Sequence, residues 1–192
     1  FTPASAMFRG DLERTGVYET GGPTKLEDYV WKFQTSEAIA SSPAILDGVV
    51  YFGSWDGHLY AVNADTGQEK WKFKTGDWVL SSPSISGGIV YFGSGDGHLY
   101  AVNAQSGREE WKFKTIEAVE SSPAISDSIV YFGSWDGHLY AVNANTGQEK
   151  WNFKTGGIVL SSVATCTVQY ISGVGTVICT RWMPTLARKN GT

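Results

Sequence analysis

Residues 41–80 read SSPAILDGVVYFGSWDGHLYAVNADTGQEKWKFKTGDWVL, and residues 81–120 and 121–160 restate that sentence with few changes. A period of 40 residues matches one four-stranded propeller blade, a unit that buries its apolar faces only against neighbours. Turn chemistry divides each unit. SSPAI is a short first strand, ended by Leu46-Asp47-Gly48, Ser86-Gly87-Gly88 or Ser126-Asp127-Ser128. VVYFGS follows, dense in β-branched and aromatic residues. Asp56-Gly57, Asp96-Gly97 and Asp136-Gly137 are hairpin signals, because both residue types tolerate positive φ. HLYAVNA is the third strand, with Leu59, Ala61 and Asn63 on one face and Tyr60 and Val62 on the other. Asn63 starts the next turn by offering its side chain to backbone N–H groups ahead of it, and Gly67 ends it. KWKFKT closes the unit with Trp71 and Phe73 on one face. No helix is needed. The expected fold is all-β: a β-propeller of four-stranded antiparallel blades.

The run LYAVNADTGQEKW resembles the tryptophan-docking motif of quinoprotein-type (PQQ-like) repeat propellers. Its usual form is a small residue, Asp-Ala-x-Thr-Gly, three residues, then Trp. Here Asn63, Asn103 and Asn143 replace the Asp, and Ser106 replaces the Thr in the second copy. The opening AMFRGDLERTGVY is similar to the segment after the secretory leader in many such proteins. The resemblance runs from residue 7 to about residue 162 and extends to the propeller lipoproteins of the bacterial outer-membrane assembly machinery. It implies that Trp31, Trp71, Trp111 and Trp151 wedge between neighbouring blades, a use suited to a large flat side chain. It also implies a periplasmic or secreted location, with a leader removed before Phe1. Trp55-Asp56 is not a WD-repeat signature, because it opens a turn and the second copy has Gly95-Asp96.

The tail departs from the repeat. YISGVGTVICTRWMPTLARKNG, residues 170–191, is explained as a fourth repeat translated out of frame from near Ser162 to Cys166. Trp182-Met183 forces the bases TGGATG, which in the shifted frame contain GAT, the family's Asp; the gene sequence decides the point. TCTVQYIS and TVICTRW still read as a hairpin, rich in Thr, Val and Ile. A turn at Ser172-Gly173 would set Cys166 opposite Cys179, where a disulfide or two free thiols are both open. The expected organisation is an extension (1–29), an outer strand (30–35), repeats 41–80, 81–120 and 121–160, an altered fourth repeat (161–183) and a frayed tail (184–192).

The chain thus starts with an outer strand and ends with inner ones. Residues 30–35 can complete the last blade of their own chain, giving a four-bladed ring. Alternatively they complete a partner's last blade, and two chains form an eight-bladed homodimer by strand exchange; leaving the ring open would expose strand edges. The family's usual seven or eight blades favour the dimer.

Chemistry is sparsely written. A formal net charge of −4 with no Lys/Arg run argues against nucleic acid and anionic membrane as partners. No apolar run is long enough to span a bilayer. His58, His98 and His138 follow hairpin turns and are separated by the ring symmetry, so they are not expected to share a metal. The Ser-Ser-Pro runs lack a His–acid pair to activate them. A PQQ-dependent dehydrogenase fragment is the alternative reading, but the aromatic platform, calcium ligands and catalytic Asp implied by such enzymes are not found, so no cofactor is expected. The favoured reading is a non-catalytic scaffold or binding module, or a truncated product without a selected activity. The copies differ most at SEAIA (36–40), GDWVL (76–80), IEAVE (116–120) and GGIVL (156–160), connections on one face of a propeller. Trp78, Asp77, Glu37 and Glu117 are the candidate binding residues there, for a protein partner at the loop face.

Overall fold

The structure is a computed structural model that describes residues 30–163 and the backbone of 169–173 and 176–180. The described elements are all strands. The first blade holds β1 (Ala44–Leu46), β2 (Val49–Gly53), β3 (His58–Asn63) and β4 (Glu69–Lys74). The second holds β5 (Ser84–Ser86), β6 (Ile89–Gly93), β7 (His98–Asn103) and β8 (Glu109–Lys114). The third holds β9 (Ala124–Ser126), β10 (Ile129–Gly133), β11 (His138–Asn143) and β12 (Glu149–Lys154). Each is a four-stranded antiparallel meander in sequence order, and β13 (Gln169–Gly173) pairs with β14 (Thr176–Thr180) as a separate hairpin.

Register follows the alternation of the sequence. Tyr51 stands opposite Ala61, and Val50 opposite Val62. The pairing slips between Ala61 and Val62, which face Trp71 and Glu69, so Lys70 is an extra residue on β4. That bulge re-aims the strand. It brings Trp71 and Phe73 onto the face of Ala61 and Leu59, and the same slip recurs in both later blades.

The core lies between blades. Tyr51, Leu59 and Ala61 pack with Phe92, Tyr100 and Val102 of the second blade, and Trp71 and Phe73 press on the same cluster. The next joint repeats this arrangement with Tyr91, Leu99 and Ala101 against Phe132, Tyr140 and Val142. The first strands neighbour one another, which puts them innermost. There the Ser42 N–H donates to Ser82 Oγ at 2.8 Å and the Ser82 N–H to Ser122 Oγ at 3.0 Å, tying adjacent blades.

Residues 31–35 pair with no described strand. Their side chains nonetheless sit where an outer strand's would, with the Trp31 indole N–H on Ala64 O at 2.7 Å. In the tail hairpin Ser172 and Gly173 are strand, paired with Val177 and Thr176, rather than the turn, and Tyr170, not Cys166, is opposite Cys179. Both hairpin strands are β-prone on either side of Gly-Val-Gly, so composition located the hairpin without fixing its register. Cys166, the 1–29 extension and the 184–192 tail lie outside the described residues.

Candidate interaction face

Each connection from an outer strand to the next blade is held by the same atoms. Thr75 Oγ1 donates to Gly57 O (2.9 Å) and to Asp77 O, and the Val79 N–H reaches back to Ser54 O at 2.9 Å. Val79 is fully buried beneath the loop. With its ends pinned, the loop leaves Gly76 and Asp77 exposed, and Ser36 with Glu37 and Ile116 with Glu117 are set the same way by Thr35 and Thr115.

The turn between second and third strands lies beside the preceding connection. Trp55 N–H donates to Ala38 O, Gly95 N–H to Trp78 O and Trp135 N–H to Ala118 O, each at 2.9 Å. The side chains at these pairs are size-matched. Where the turn carries Trp55 or Trp135 the connection carries alanine; where the connection carries Trp78 the turn carries Gly95. A Cβ on Gly95 would come within 2.5 Å of the Trp78 ring, so the glycine is the space the indole occupies. Trp78 also meets Trp55, with ring centres 5.9 Å apart. The Trp78 Nε1–H is buried without a partner.

An aspartate fastens each turn to the connection of the blade before it. Asp96 Oδ1 accepts the His98 N–H and faces His98 Nδ1, both at 3.1 Å. Its Oδ2 accepts the Tyr100 hydroxyl and the Gly76 N–H, both at 2.7 Å. Asp56 and Asp136 repeat the arrangement with Ser36 and Ile116 as the cross-blade donors. Burial alone would raise the Asp96 pKa, but hydrogen bonds from Tyr100, the Gly76 N–H and His98 outweigh it and hold it below the usual value. Asp56 is lowered in the same way. Burial, with the neighbouring Asp56, pushes the Tyr60 hydroxyl up to about 12.

The sequence-derived candidates therefore do not form one pocket. Glu37, Asp77 and Glu117 are equivalent exposed residues on three successive connections, and Trp78 is half-buried between its own loop and the neighbouring turn. Large apolar side chains also stand exposed on these turns and connections: Trp55, Trp135, Ile116 and Ile158, Ile116 to 81%. Sequence reasoning passed over Trp55 and Trp135 after rejecting the WD signature. Reading positions 38, 78 and 118 against 55, 95 and 135 would have shown the alternation. Among the described residues no three His, Cys, Asp or Glu side chains converge to hold a metal ion. The turn aspartates are committed to tyrosine and backbone donors.

Residues 27–157 match the family model described as outer membrane protein assembly factor BamB. The chain belongs to this family. BamB from Moraxella catarrhalis is 26% identical in solved structure, with a TM-score of 0.58; the match covers 65% of this chain and 39% of that one. A europium-containing methanol dehydrogenase matches at 20% identity and a TM-score of 0.69, covering 81% of this chain and 32% of its own. The computationally designed Ika4 protein matches at 22% and 0.69, covering 77% of this chain and 92% of the design. The last two likenesses show the fold alone. Among curated proteins, none matches the chain. The BamB-family chain thus spans well under half the length of the natural structures named here. The expected PQQ-like propeller blades are present, and no helix among the described residues is long and apolar enough to cross a membrane.

Proposed function

We propose that this BamB-family chain is a non-catalytic propeller scaffold that binds a protein partner through its connection face, outside the cytoplasm. Acting in outer-membrane protein assembly, as the family description says, is the role that accords with it. One observation carries the reading: the copies differ mainly in their connections, and these, with the adjoining turns, expose large apolar side chains. Exposed apolar residues gathered on one face of a repeat scaffold favour association with another protein. The acidic Glu37, Asp77 and Glu117 around them favour a partner with basic or amide groups at its rim.

Photo-crosslinking from positions 55 and 116 in cells tests the site, with position 70 on the outer strand as control. Crosslinked protein partners are expected from the first two positions and not from the third; equal labelling from all three would sink the proposal. The enzyme alternative is tested separately, by titrating the purified chain with PQQ and calcium. Saturable binding with dye reduction would make it a dehydrogenase.

A further inference from the structure

Lys72 and Lys112 hold the same place in their blades. Each stands opposite a tyrosine of the third strand, Lys72 facing Tyr60 and Lys112 facing Tyr100. Each nitrogen lies over that ring, 5.9 Å from its centre in both blades. Lys112 Nζ also pairs with Glu109 at 3.6 Å. The tyrosine is fixed beneath it, with its hydroxyl donating to the turn aspartate and its ring stacked on Phe52 or Phe92. The chain thus shows twice what this tyrosine accepts: an ammonium on an alkyl stem.

The third blade keeps the acceptors and lacks the cation. The Tyr140 hydroxyl donates to Asp136 at 2.7 Å, and its ring stacks on Phe132 at 5.3 Å and meets Phe113 edge-on at 5.4 Å. Its strand partner, however, is Asn152. The Asn152 side chain turns to Glu149, donating from Nδ2 to Oε1 at 2.7 Å, and Glu149 Oε2 receives no hydrogen bond among the described residues. A groove of about 590 Å³ lies there between the end of β8 and the third blade, lined by Phe113, Lys114, Ile116, Tyr140, Glu149 and Asn152. Ile116 walls it where the preceding joint has only Gly76. Lys114 is a like charge at the border, but its counterpart Lys74 does not keep Lys112 from its place one joint earlier.

We propose that this groove receives one lysine side chain of a protein partner, its ammonium over Tyr140 and beside Glu149, its stem along Ile116. The inference rests on the partner-binding reading above and names what that partner presents beside the second connection. Two observations commit the occupant. The repeat itself supplies the template, an alkylammonium in the same place in both earlier blades. The carboxylates of Glu149 and Asp136 complement that charge and would repel an anion. A cation over an exposed ring of this kind contributes roughly two- to fivefold in affinity.

Amide NMR titration of the full chain with N-acetyl-lysine methylamide tests the site, with N-acetyl-norleucine methylamide as the uncharged probe. Saturable shifts are expected at residues 113–116 and 149–152, with the lysine probe binding roughly two- to fivefold more tightly than the norleucine probe. Asn152→Lys places the repeat's own lysine in the groove and should abolish those shifts. Glu149→Gln should weaken binding about twofold, and it carries the test alone should Asn152→Lys disturb the spectrum as a whole. Equal response to the two probes, undiminished binding by the variants, or no saturable binding would overturn the inference. Tighter binding of the arginine analogue would replace lysine by a guanidinium. The partner reading fails separately: a lysine probe held in the groove, with no protein crosslinked from positions 55 and 116, would overturn docking and leave a site for small amines.

Discussion

At position 128 a serine holds φ +60 in the turn between β9 and β10, where the first and second blades have Gly48 and Gly88. A side chain in the left-handed region costs about 1–2 kcal/mol, partly offset because glycine has more unfolded-state freedom to lose. Ser128→Gly is therefore expected to stabilise the chain by about 0.5–1 kcal/mol, seen as a higher urea midpoint at unchanged slope. The Trp78–Gly95 pair makes a second residue-scale test. Gly95→Trp alone drives an indole into Trp78 and should cost about 1–3 kcal/mol of overpacking. Adding Trp78→Ala restores the alanine–tryptophan pairing of the other two turns, so the double variant should recover most of the loss. A double-mutant cycle reads the coupling directly. Additive losses would mean that the size match is incidental.

Within the blade, the aspartate clamp is what links a turn to its neighbour, and it is pH-sensitive with a definite sign. The folded pKa values of Asp56 and Asp96 lie below their ordinary value, so the clamps contribute stability above about pH 4, the unfolded carboxyl value. That contribution falls away as pH drops through the lowered folded values. Asp96→Asn should cost about 1.5–3 kcal/mol near neutrality, the range for hydrogen bonds to a charged group, and flatten the acid limb of the stability curve. Urea melts at pH 7 and pH 3 check both parts. Much of this element was legible in the letters: Asp-Gly named the turn, alternation named the strand faces, and Asn63 does accept the Asp65 and Thr66 N–H groups. The cross-blade half was not legible, because Gly76 and Asp96 are far apart in sequence and the donor is a backbone N–H that any residue supplies. The extra residue at Lys70 was hidden for a related reason. A bulge changes which face Trp71 takes without changing the residues that flank it.

For the whole molecule the decisive question is where the arc ends. Replacing residues 161–192 with a second copy of residues 121–148 would supply three inner strands and, with them, an alanine carbonyl and a glycine like those on which Trp71 and Trp111 rest, now placed for Trp151. Burying the Trp151 and Phe153 rings removes apolar area worth about 25 cal/mol per Å² from water, so the melting temperature should rise by several degrees. Acrylamide quenching of tryptophan emission should fall at the same time. Any association of this chimaera would depend on the fourth blade's missing outer strand, which residues 30–35 of a second copy could provide. Deleting residues 1–35 from the chimaera tests this. A monomer both before and after deletion would rule strand exchange out. A dimer lost on deletion assigns the joint to strand exchange, the arrangement that would close eight blades from two chains.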